Sequence, residues 1–196
     1  MEYTRTIEGR LMPIPGAWVF VHGTSSAGFL MRHLGIAKLR GTFRAFAGII
    51  DVGETLHDTT VSLGIEASSV DTGLSARDAA MRDEDFFNVA AHPLITYRST
   101  KTHVTEDGDL EIHGHLTIAG VTQPAVLGLD FLGVVSVHTG EYRAVFSATT
   151  MIDRLDFGLV YNKTLDTGGK ILGTQIKLEL EILAVRQDSP VHTHGD

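Results

Sequence analysis

The sequence predicts an all-β fold of antiparallel strands with one short helix. Three observations lead to that class. Apolar and polar side chains alternate with a period of two in segment after segment, which puts every second residue on the same sheet face. Turn signals such as Glu106-Asp107-Gly108-Asp109, Thr139-Gly140 and Thr167-Gly168-Gly169 separate these segments at short spacing. Only one stretch, Ser75 to Phe87, has helical character.

Taken in chain order, strands are expected over 17–22, 26–34 and 39–51. In the next strand Val61, Leu63, Ile65 and Ala67 alternate with Thr60, Ser62, Gly64 and Glu66. Ser75 is placed to cap the helix, Asp78 follows three residues on, and Met81 lies opposite charged neighbours. Arg77-Asp78 and Arg82-Asp83 are expected as capping groups and surface pairs worth little each. A strand over 93–101 leads to one in which Ile112, Gly114, Leu116 and Ile118 oppose Glu111, His113, His115 and Thr117. Strands over 124–134 and 142–150 follow. In the last strand Leu172, Thr174, Ile176, Leu178, Leu180 and Ile182 oppose Ile171, Gly173, Gln175, Lys177, Glu179 and Glu181. One apolar and one wet face per strand is the antiparallel pattern. Many strands at short spacing fit a sandwich or a closed barrel.

The chain has 196 residues, enough for one domain. With 43% hydrophobic residues it can fill a core. Segment 1–13 is expected as a loosely ordered edge that adds at most one strand, residues 14–186 as the domain, and 187–196 as a flexible polar tail. A net charge of −8 argues against nucleic acid, whose phosphates need clustered Lys and Arg. There is no cysteine, which excludes disulfides, thiolate nucleophiles and Cys-rich zinc sites. Met1 to Arg10 offers no apolar stretch of signal-peptide length, so the expected address is the cytoplasm.

Five segments resemble the YceI-like family of lipid-binding proteins, and they occur in that family's order. Ser26 to Phe43 reads SAGFLMRHLGIAKLRGTF, similar to its Ser, Phe, Arg/Lys-His-Leu and Gly-x-Phe pattern. Thr72 to Val89 carries Thr-Gly, Arg-Asp and Asp-Phe-Phe-x-Val, and His92 to Thr100 the Pro, aromatic and Ser-Thr strand. Gly114 to Leu127 matches Gly-x-Leu-Thr-Ile-x-Gly-Val-Thr, and Asp153 to Asn162 the Arg-x-Asp-Phe-Gly segment. The resemblance spans Trp18 to Val185. Two departures stand out: Val21 and Thr24 replace an Asp and a His, and Ala80 replaces a His after Arg-Asp. Any head-group contact made by those polar residues does not carry over.

The resemblance implies an eight-stranded antiparallel, lipocalin-like β-barrel with a tunnel for a polyisoprenoid or prenyl quinone. It implies no catalysis and no cofactor beyond that lipid. Phe29, Met31, His33, Phe43, Ile49, Ile65, Tyr97, Leu116, Ile118, Phe146 and Phe157 are then the expected lining. Phe86 and Phe87 either gate one mouth or seat the helix on the barrel end. His33 either meets a polar head group or is satisfied by a neighbouring group. Each CH2 moved from water to an apolar wall gains roughly 0.8 kcal/mol, so forty carbons sum to about 30 kcal/mol. That exceeds the ceiling of roughly 18–21 kcal/mol for real affinities, so ordering and desolvation costs offset much of it. Apolar contact holds such a guest; it does not select it.

Two other classes compete with a lipid carrier. A barrel enzyme could place a metal on His113 and His115, whose spacing allows it. Those residues share the wet strand face with Glu111 and Thr117, the wrong parity for a lumenal site. A ligand-free interaction module with a filled core is the third class. Transient membrane contact accompanies the carrier, and homodimerisation through a barrel face suits all three.

Overall fold

The computed structural model describes residues 3–34, 37–138, 140–164, 166 and 171–187. The strands are β1 (Thr4–Ile7), β2 (Arg10–Pro13), β3 (Gly16–Phe20), β4 (Ser26–His33), β5 (Ala37–Phe43), β6 (Phe46–Val52), β7 (Thr60–Glu66) and β8 (Val70–Asp71). After the helix α1 (Ser75–Arg82) come β9 (Leu94–Val104), β10 (Leu110–Ile118), β11 (Val121–Ser136), β12 (Tyr142–Asp153) and β13 (Leu172–Arg186).

These strands close into an eight-stranded antiparallel barrel. Two of the eight staves are broken. β3 and β4 form one stave and β5 and β6 the next, because Gly16 pairs with Val52 and Ala27 with Phe43 along one long hairpin. β7, β9, β10, β11, β12 and β13 complete the ring. β13 closes it by pairing with β12 along one edge, and with β4 and then β3 along the other. Closure satisfies the edge backbone groups that an open sheet would leave bare. The connection between β10 and β11 uses Ala119 and Gly120, both at positive φ (47° and 78°) as a two-residue hairpin turn demands.

The helix is shorter than the sequence predicts, ending at Arg82 rather than Phe87. Asp83, Glu84 and Asp85 follow at once, and the negative end of the helix dipole disfavours such charges. Ser75 is not the cap: Leu74 holds that position, without a side-chain bond. The buried Asp78 carboxylate accepts instead from the Thr72 amide (2.8 Å) and hydroxyl (2.6 Å). Nor do the two arginines make surface pairs. Arg77 donates to the Thr72 hydroxyl, and Arg82 reaches the carbonyls of Ser68 and Val70, tying α1 to the chain that crosses the barrel end.

Segment 4–13 contributes two strands rather than one, a hairpin whose Ile7 and Met12 are buried in the core. The 187–196 tail lies outside the described residues apart from Gln187, whose amide donates to Ala17.

Candidate ligand-binding site

The barrel interior has two unlike halves. In the half near the β1–β2 hairpin, the inward residues Trp18, Ile50, Val61, Ile112, Leu129, Phe146 and Ile182 are all buried and fill the lumen. Trp18 satisfies its indole N–H on the Ile14 carbonyl at 3.0 Å. The other half is hollow. Its cavity takes in about 890 Å³ of space unoccupied by atoms, part of it continuous with solvent.

Small side chains keep that half open. Ala27, Ala125 and Ala148 face the cavity from β4, β11 and β12. Leucine, isoleucine and phenylalanine side chains supply most of the remaining wall. Thr96 and Tyr97 are the polar residues along it, and the Tyr97 hydroxyl is committed to the Ile112 carbonyl at 2.7 Å. Burial raises the Tyr97 pKa, so the phenol stays neutral. The site can therefore exclude water and hold apolar matter, and it offers little to a charge.

Nine of the expected residues meet at this cavity: Phe29, Met31, Phe43, Ile65, Phe86, Phe87, Tyr97, Leu116 and Ile118. Phe86 and Phe87 reach it because the chain turns sharply after α1, with the Phe87 amide donating to the Met81 carbonyl. Their rings meet edge-on at 5.0 Å, and Phe87 also packs on Phe43.

Four expected residues lie elsewhere. Phe146 faces inward but belongs to the filled half, packed 5.2 Å from Phe131. Ile49 has the wrong parity. The break at Arg44–Ala45 shifts the alternation, so Phe43 points inward on β5 whereas Ile50 and Val52 do so on β6. His33 continues the Phe29–Met31 face to the strand end, half-buried and beyond the wall. Phe157 is buried in the turn Arg154–Phe157; Leu159, two residues on, is the wall residue. Sequence reasoning passed over Leu127, Ile176 and Leu180, although the same alternation marks them.

It also passed over Arg154. This residue is 1% exposed and donates to the carbonyls of Gly173 (2.9 Å), Tyr161 (3.1 Å) and Leu159. Burial lowers its pKa, and the charge of neighbouring Asp153 opposes that shift. The guanidinium fork holds together the segment that carries Leu159 to the wall. The Asp153 carboxylate caps the turn through the Leu155 amide at 3.0 Å, which lowers its own pKa.

His113 and His115 point outward. His113 lies 3.1 Å from Glu111 and stacks edge-on with His103, away from the cavity. Among the described residues no cluster of three or more histidines and carboxylates could hold a metal ion. Among them, too, no helix is long and apolar enough to cross a membrane.

The model of the YceI-like domain matches residues 18–184, which takes in every barrel stave. The chain belongs to the YceI-like family. Among its YceI-like relatives is a UPF0312 protein of Ectopseudomonas mendocina (strain ymp), 36% identical over 160 residues, 81% of each chain. The YCEI protein of Campylobacter jejuni is 27% identical, with a TM-score of 0.67 over 80% of this chain and 90% of that one. A polyisoprenoid binding domain from Saccharophagus degradans shares the fold at 16% identity, with a TM-score of 0.62 over 88% of this chain and 99% of that one.

Proposed function

We propose that the protein binds a long apolar lipid, a polyisoprenoid or prenyl quinone, by its hydrocarbon tail, and carries it without altering it. One observation carries this reading: a half-hollow barrel whose cavity wall is almost wholly apolar. Empty, such a cavity forfeits the contacts its lining could make, and an apolar chain restores them. The name of the Saccharophagus degradans domain points to the same class of ligand. No wall residue is poised for chemistry, since the one phenol is neutral and already donating. A polar head would remain at the mouth. The cytoplasm is the address this reading carries, checked by cell fractionation.

Extraction of the purified, as-expressed protein into organic solvent, followed by mass spectrometry, tests the proposal. A prenyl lipid near one equivalent supports the carrier. Stoichiometric zinc would point to the enzyme and a clean extract to an interaction module, and either would overturn it.

A further inference from the structure

We infer that the bore is a blind socket with room for no more than about six isoprene units, and that Phe146 forms part of its floor. The inference rests on the lipid-binding reading and deepens it.

The cavity wall is short along the strands. It runs from Ile176 to Leu180 on β13 and from Ala148 to Ile152 on β12. Directly beneath the Ala148–Leu180 pair comes the Phe146–Ile182 pair, both buried and neither in the wall. Beneath Leu127 is Leu129, and beneath Leu63 is Val61, again buried and outside the cavity. Tyr97 leans over this level to reach Ile112, and below it Trp18 and Met12 seal the far end. A chain entering from the helix end therefore meets a floor halfway down the barrel. At about 30 Å³ per water-sized group, the 890 Å³ has room for at most about thirty carbons, or six five-carbon units. Because part of that space is open to solvent, six is a ceiling. An eight-unit chain leaves at least two units outside.

Each CH2 left in water lowers affinity about fourfold, so an exposed five-carbon unit is strongly selected against. The test offers all-trans prenyl alcohols of two to eight units, pairwise and in equal amounts in phosphatidylcholine vesicles, to the delipidated full-length protein. Loading of the re-isolated protein is read by mass spectrometry. Loading should fall off at or below about six units, and the eight-unit alcohol should load at least tenfold less than the best-loaded one. Phe146→Ala should move this fall to longer chains and Ala148→Phe to shorter ones. Phe146→Leu, a smaller deletion, replaces the alanine variant if that fails to fold. An eight-unit alcohol that loads as well as every shorter one overturns the length limit and leaves lipid binding intact. A fall that no folded variant moves overturns the assignment of the floor. Failure of every alcohol to load overturns the lipid-binding reading itself.

Discussion

Tyr97 lays its ring against Gly114 and donates its hydroxyl to the carbonyl of Ile112, so one aromatic residue spans the boundary between the hollow and filled halves of the barrel. The contact requires the absence of a side chain at 114. A Cβ there would lie 2.4 Å from the Arg98 carbonyl oxygen and 2.7 Å from the Tyr97 Cζ and Oη atoms. The backbone oxygen cannot move aside.

Gly114→Ala should therefore destabilise the fold by about 1–3 kcal/mol, the cost of overpacking a tight site. Gly64→Ala is the control, since a Cβ at Gly64 meets nothing within 4 Å. Relief of chain entropy should leave that variant neutral or up to about 1 kcal/mol more stable. Urea midpoints of the two variants check the contrast.

The same tyrosine predicts an alkaline signature. Burial raises its pKa above the ordinary 10.0, so the folded state keeps the phenol neutral where the unfolded chain ionises it. This stabilisation is complete below pH 10 and is lost as the pH climbs from there toward the raised pKa, at about 1.4 kcal/mol per pH unit. Between pH 8 and pH 11 the wild type should lose about 1 kcal/mol more than Tyr97→Phe. Equal losses in the two proteins, measured by urea unfolding, would refute the buried-phenol assignment.

Gly114 also shows how far the sequence alone could reach. Period-two alternation marks nearly every stave, and it dictates that Leu116 and Ile118 lie on the inner face. Alternation distinguishes inside from outside but carries no information on depth. Phe146 and Leu116 both point inward, yet one is floor and the other wall. Depth depends on how staves stagger around the ring, and on whether Ala or a large residue sits opposite. Unbroken alternation puts Ile49 on the inner face, but the break at Arg44–Ala45 resets parity, and nothing in the order of residues signals that break. Arg154 escaped notice because a lone charge reads as surface until three carbonyls are seen to converge on it.

Removing that convergence should be expensive. Arg154→Ala leaves three carbonyls without their donor and a hole where the side chain lay, and it should cost about 3 kcal/mol or more. Arg154→Lys keeps the charge but not the fork, and should recover only part of the loss. Thermal melts of the two variants give the order. Lipid retention should fall with stability, because Leu159 is carried by the segment the arginine fixes.

A charge in the wall separates binding from folding. Phe29→Asp or Leu116→Lys should abolish lipid retention, since an apolar cavity with a single ionised group costs several kcal/mol to dry. The double variant His113→Ala, His115→Ala, which alters only the outer face, should load lipid as the wild type does. Solvent extraction with mass spectrometry compares them. Full retention in a folded Phe29→Asp protein, or loss in the histidine variant, would move the binding site elsewhere.

Around the mouth, several large apolar residues face water. Leu74, Leu94, Val121, Leu155 and Val160 are all exposed, Val160 at 70%. They lie at the strand ends and loops of the hollow half. Gly120 sits against the His92 ring near Leu94, and Gln123 bonds the Asp156 carbonyl beside Leu155, so neighbouring segments run on around the rim. If these exposed side chains touch a bilayer surface, a chain could pass into the bore without crossing water. The net charge of −8 favours zwitterionic over anionic membranes for that contact. The double variant Leu155→Asp, Val160→Asp should then slow prenyl-lipid transfer between phosphatidylcholine vesicles at least several-fold while leaving equilibrium loading unchanged. Phosphatidylserine in the vesicles should slow the wild type, and added salt should lift that inhibition. Transfer that is indifferent to both the rim charges and the membrane charge would mean the lipid reaches the bore through solution or by another face.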